Sequence, residues 1–179
     1  MPNTKTVHVP HLGGIDAAYQ MPKPYDSSKP TLVLVNSFTT SSELYRQQYA
    51  NDKLTGKMNL LAIELLGHGQ TRTKSENFTY WDTAIMNIQV LDALGIKKAF
   101  VLGTSQGGWI TVRMALLAPE KVKYFTKLTK KTDQLIFLSD CWHHSTWHLH
   151  GLRVGAYSQA RLLGWSGCLY RANQQVDNE

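Results

Sequence analysis

"VLGTSQGGWI", residues 101–110, decides the fold: a short apolar run, a serine held between glycines, and the start of a helix. Gly103-Thr104-Ser105-Gln106-Gly107 is G-x-S-x-G, the turn from a buried strand into a helix that seats a catalytic serine. Such a turn forces the serine backbone into a strained conformation, so the residues two before and two after it must be small, as Gly103 and Gly107 are. Gly108 lets the helix approach the sheet. The Ser105 hydroxyl is then expected at the carboxyl edge of the sheet, at the positive end of a helix. The competing reading is a Gly-rich strand–helix turn with an incidental serine, and the neighbouring stretches decide against it.

Strands and helices alternate around that turn. "TVHV" and "GIDAAYQM" read as paired strands with residues 11–14 turning between them. "TLVLV" (31–35), "MNLLAIELL" (58–66) and "AFVLG" are continuous apolar runs, the signature of strands covered on both faces. "SSELYRQQYAN" opens with helix-start chemistry at Ser41 or Ser42. From Tyr80 to Leu94, Trp81, Ala84, Ile85, Ile88, Leu91 and Leu94 recur at helical spacing, with Gly95 as the stop. "QGGWITVRMALLA" is the helix after the serine, ended by Pro119. This alternation predicts an α/β domain, a parallel sheet with right-handed crossovers flanked by helices.

Composition excludes several classes. With 42% apolar and 18% charged residues over 179 positions, the chain has material for one globular core and is not a disordered one. The net charge of +6 is spread along the chain; its densest run, "KLTKK" (127–131), is too short for a nucleic-acid footprint, and no recognised module accompanies it. Two cysteines make no disulfide framework and suit a reducing compartment. No apolar run has signal-peptide or membrane-spanning character, and "QVDNE" matches no tripeptide address. An intracellular protein without membrane insertion is expected; oligomeric state is not readable.

From about Thr6 to Val122 the chain resembles the α/β-hydrolase fold family. "LVLVNSFTTSS" occupies the place of that family's strand and oxyanion loop, "IELLGHGQTRT" its strand with a G-H-G turn, and "GIKKAFVLGTSQGGWITVRMALLAPEKV" its nucleophile strand, elbow and helix. The resemblance implies that Ser105 attacks an acyl or ester substrate while the backbone N–H groups of Phe38 and Gln106 hold the oxyanion. It implies no cofactor. The family's His-Gly in the oxyanion loop is Asn36-Ser37 here, which puts the loop's geometry in question, and His68 of "GHG" holds a structural position in the family rather than the base's. The opening fifty residues, "NSFTTSS" and "TSQGGWITVRMALLAPE" resemble small fungal hydrolases of AK-, AF- and ACT-toxin biosynthesis. Those relatives are of peroxisomal type, yet the address is absent here, which leaves the cytoplasm as the other placement.

Near Val122 the texture changes. Residues 123–179 hold three of the five tryptophans and four of the seven histidines, with little period beyond a possible strand in "DQLIFLSD" and a short helix in "QARLLGW". The resemblance implies the order serine, acid, histidine. Asp133 or Asp140 with His148 keeps that order but leaves no room for the intervening strands and lid, while Asp177 and Glu179 follow every histidine. The acid and base are therefore unassigned. Histidines 144 and 148 with Cys141 match no zinc spacing, and "CWHHSTWHLH" reads as irregular exposed chain rather than a metal site.

Back-translated and shifted by one base, "CWHHSTWHLHGLRV" forces two glycines and permits "AGIIPLG", while Val122-Lys123 suits a splice donor. The expectation is an N-terminal hydrolase part, 1–122, followed by read-through and out-of-frame sequence, 123–179, with the C-terminal strands missing. The serine's strand would then be an exposed edge.

Overall fold

The computed structural model describes residues 2–129 and 132–139, with side chains described through residue 122. All of them fall in the first of two compact units, residues 1–142; the second, 143–179, lies outside the described residues.

The chain opens with an antiparallel pair, β1 (Lys5–Val9) and β2 (Ile15–Gln20), joined by a single tight turn over His11–Gly13. β3 (Thr31–Val35) follows. Ser41 then caps a short turn whose Glu43 amide it accepts, leading into α1 (Arg46–Tyr49), and Asn51 caps α2 (Asp52–Lys57) by accepting from the Leu54 amide at 3.1 Å. β4 (Asn59–Ile63) and the two-residue β5 (Arg72–Thr73) precede α3 (Tyr80–Ala93). β6 (Ala99–Thr104) runs through the serine turn into α4 (Gln106–Leu117), which stops before Pro119. β7 (Val122–Thr129) and β8 (Thr132–Ser139) complete the described chain.

The sheet order is β1-β2-β4-β3-β6-β7-β8, with β5 against β2. β4, β3, β6 and β7 are parallel neighbours, whereas β2 pairs antiparallel with both β1 and β4, and β8 pairs antiparallel with β7. The sheet is thus mixed and mostly parallel, flanked by helices as the alternation predicts, with the paired strands read in "TVHV" and "GIDAAYQM" forming its antiparallel start.

Two expectations are corrected here. The stretch after residue 122 does not lose regular structure at once: its β-branched and aromatic content (Val122, Tyr124, Phe125, Thr126) suits a strand, and β7 pairs along β6 from Ala99↔Val122 to Thr104↔Leu128. β6 is therefore an interior strand, not an edge. The short strand read in "DQLIFLSD" is β8, antiparallel to β7.

Side chains alternate to the two faces of the central strands. Val33, Val35, Leu61, Ile63 and Val101 pack with Ala84, Met86, Val90 and Leu91 of α3 and with Ile110 and Met114 of α4. Leu34, Leu60 and Ala62 point the other way, onto Tyr45 and Tyr49. Each Val, Leu, Ile and Met among these contributes about 1.5–3 kcal/mol through burial, so this two-sided core carries the fold.

α3 is rotated from the face read in its sequence. Thr83, Ala84, Met86, Asn87, Val90 and Leu91 are buried, while Trp81 is exposed and stacks under the Arg113 guanidinium, 5.0 Å from its ring centroid. The helix start explains that register. Thr79 and Asp82 form a capping box, Asp82 accepting from the Thr79 amide at 2.6 Å, and the other Asp82 oxygen bonds His11 at 2.8 Å.

The Thr79 hydroxyl, then the Thr79 amide and His11, hold the Asp82 carboxyl below its usual range against the opposing effect of burial. A depressed folded value means that this stabilisation is present above the unfolded value of about 3.9. It is lost as pH falls through the lowered folded value. Asp82→Ala is expected to cost about 1–2 kcal/mol at neutral pH. In denaturation curves the gap to the parent should close in strong acid.

Candidate active site

β3 and β6 are parallel neighbours, with Val35 opposite Gly103. The chain leaves β3 toward β4 on one side and reaches β6 on the other, so their carboxyl ends form a topological switch point, where open α/β sheets bind ligands. Ser105 stands there, exposed, at φ 53° and ψ −113°, the conformation the G-x-S-x-G turn demands. It precedes the first turn of α4, whose leading N–H groups, Gln106 among them, have no partner within the helix. A side chain at Gly107 would run into the Val35 and Asn36 carbonyls, and one at Gly103 into the Gly107 backbone. The glycines thus serve contact between elbow and loop.

The loop after β3 carries Phe38 and is closed by Asn36, whose side-chain amide donates to the carbonyls of Ser37 (3.1 Å) and Thr40 (2.7 Å). This is the physical content of the Asn36-Ser37 departure: the asparagine knits its own loop together. Beyond the loop, Tyr45 donates back to the Val35 carbonyl at 2.7 Å, and burial pushes its phenol up, so it stays a neutral donor. Thr39 next to Phe38 is left-handed at φ 59°.

A second loop, after β4, braces the first. His68 accepts from the Thr39 amide through Nε2 (3.3 Å) and donates from Nδ1 to the Leu66 carbonyl (2.9 Å), with its ring edge-on to Phe38. The donor set fixes that tautomer. Buried Glu64 accepts from the Ser42 hydroxyl (2.7 Å) and amide (3.3 Å) with one oxygen and from the Gln70 amide (2.6 Å) with the other. Neither Glu64 nor Tyr45 stands out in the sequence. The available sign was an acid closing a continuous apolar strand, "NLLAIE", just before the glycine turn.

Ser105, Phe38 and Gln106 all sit at this one edge of the sheet, on neighbouring loops. Among the described residues no side chain hydrogen-bonds the Ser105 hydroxyl. The three described histidine rings are committed elsewhere: His8 to Asp16, His11 to Asp82, His68 to the loop. Asp140, His143, His144, His148, His150, Cys141, Asp177 and Glu179 lie outside the described residues, as does the side chain of Asp133. Among the described residues no three His, Cys, Asp or Glu side chains gather as a metal site, and no helix is long and apolar enough to cross a membrane.

A strained serine between glycines, placed at the switch point of a mostly parallel sheet, defines the nucleophile-elbow class of α/β proteins. The chain belongs to the alpha/beta hydrolase fold family, whose model matches residues 30–147. It is 32% identical over 93 residues to an uncharacterized hydrolase, YugF, of Bacillus subtilis, covering 51% of this chain and 33% of that protein. An uncharacterized carboxylesterase, nap, of the same organism is 30% identical over 118 residues, covering 65% and 38%. Among solved structures, a probable hydrolytic enzyme from Pseudomonas aeruginosa aligns with TM-score 0.64 at 18% identity, over 72% of this chain and 42% of that one. A second Pseudomonas aeruginosa hydrolase aligns with TM-score 0.59 at 26% identity, over 68% and 44%. The chain thus matches about a third of the length of these curated relatives.

Proposed function

We propose that this chain carries the nucleophile half of a serine hydrolase of ester or thioester bonds, with Ser105 attacking and the Phe38 and Gln106 amides receiving the oxyanion. The observation that carries this reading is the strained, exposed Ser105 beside a braced loop. A carboxylesterase among its relatives supports the bond type. The likeness of "NSFTTSS" and "TSQGGWITVRMALLAPE" to fungal toxin hydrolases supports an acyl intermediate of such a pathway as substrate, and a peroxisomal or cytoplasmic location.

A second reading is favoured by the commitment of all three described histidines: the 179-residue chain is non-catalytic and acts at most by binding. Without a base, Ser105 is an ordinary alcohol. A fluorophosphonate probe on the folded chain separates the two, since labelling requires an activated serine. The first reading expects label on the parent and none on Ser105→Ala. An unlabelled parent with intact near-UV dichroism would leave the second. Ser105→Gly should also raise stability by about 1 kcal/mol, since glycine relieves the positive φ; a denaturation midpoint reads it.

A further inference from the structure

We propose that His68 is a positioning residue of the oxyanion site, locking Thr39 in its left-handed conformation and thereby aiming the Phe38 amide. The inference rests on the reading of loop 36–40 as the oxyanion loop. A β-branched residue at φ 59° is a genuine outlier, and such strain persists only where the surroundings over-determine it. Of the three non-glycine residues at positive φ among the described ones, two, Thr39 and Ser105, lie at this sheet edge. Ser105 is held by the elbow glycines; Thr39 has no such neighbours.

What Thr39 has is His68. Nε2 accepts the Thr39 N–H at 3.3 Å, and the imidazole ring meets the Phe38 ring edge-on at 5.9 Å between centroids. The acceptor is aimed from its far side, because Nδ1 donates to the Leu66 carbonyl at 2.9 Å, which leaves Nε2 unprotonated. Gly67 and Gly69 on either side are both at positive φ, 73° and 51°, and bend the chain so that this ring reaches across. Phe38 itself is 64% exposed, so core packing does not fix its backbone. Among the described residues, the other hydrogen bonds on the backbone of residues 37–40 come from within the loop, through Asn36 and through the Thr40 hydroxyl and amide on Ser37. His68 is thus the side chain from outside the loop that fixes the backbone beside Phe38.

The test uses the full chain and two variants. His68→Phe keeps a flat ring and removes both polar contacts; His68→Gln places an amide oxygen where Nε2 lies and restores the acceptor. Amide exchange should be about tenfold or more faster at Thr39 in the Phe variant, the equivalent of one lost hydrogen bond, and near the parent's in the Gln variant. Nitrogen NMR of the parent should show Nε2 unprotonated. Fluorophosphonate labelling of Ser105 should slow by about 10- to 100-fold in the Phe variant, as expected when a donor shifts by a fraction of an ångström, and recover in the Gln variant. Unchanged Thr39 exchange in His68→Phe overturns the proposal whatever the labelling does. Faster exchange with unchanged labelling overturns it too, while leaving the serine reading intact. A parent that never labels removes the serine reading and the oxyanion role of His68 with it, and the exchange data would still report whether the lock exists.

Discussion

Gly107→Ala is expected to destabilise the protein by about 2–3 kcal/mol net, although alanine is the better helix former. In an exposed helix interior the same exchange gains up to about 1 kcal/mol. Here the added methyl would lie 2.5 Å from the Asn36 carbonyl oxygen and 2.8 Å from the Val35 carbonyl carbon, and closer still to the Val35 oxygen. Those are backbone atoms of β3 and its following loop, pinned by the strand pairings of β3 and by the Tyr45 hydroxyl. Nothing there swings aside as a flexible side chain would. Relief requires α4 to move away from β3, which opens the seam on which Phe38 and Ser105 depend.

The control is Gly56→Ala in α2, where a methyl meets nothing within 4 Å. It should gain about 0.5–1 kcal/mol. Denaturant midpoints at constant slope measure both. If Gly107→Ala is as stable as Gly56→Ala, the close approach of elbow and loop is wrong.

That seam was the most legible part of the sequence, because sterics leave one solution for a serine between glycines at a strand–helix junction. The central strands were legible for a similar reason: after Thr31 and Asn59, "LVLV" and "LLAI" are continuous apolar runs, the pattern of strands covered on both faces. The α3 face was not, because helical spacing marks apolar residues without saying which are claimed by neighbours, and Trp81 is claimed at the surface by Arg113. β7 was missed because its polar, lysine-bearing sequence carries no buried-strand pattern. Its pairing comes from the open ladder of β6, a tertiary cause that local reading does not contain. The bracing of the loop after β3 was invisible for the same reason. Glu64 and His68 act on residues 22 and 29 positions away.

Glu64 supplies the second large effect. The carboxylate is 3% exposed, and among the described residues no cation pairs with it. Backbone and hydroxyl donors satisfy it instead: the Ser42 hydroxyl and amide on one oxygen, the Gln70 amide on the other. Gly69 is tied to it as well, since any side chain there would overlap the carboxylate.

Glu64→Leu removes the acceptor and leaves the buried Ser42 amide and hydroxyl, and the part-buried Gln70 amide, facing a hydrocarbon. At about 1–3 kcal/mol for each unsatisfied group, the expected loss is about 3–4 kcal/mol. Glu64→Gln separates shape from acceptance. Its amide oxygen serves the Gln70 N–H, and its NH2 faces the Ser42 hydroxyl, which rotates to accept. Only the long Ser42 amide contact at 3.3 Å is forfeited. That variant should lose about 1 kcal/mol. The ordering parent, then Gln, then Leu, read from denaturant midpoints, identifies Glu64 as a clamp made of acceptors. Equal losses for Gln and Leu would mean that the negative charge itself, not its hydrogen bonds, holds the two loops together.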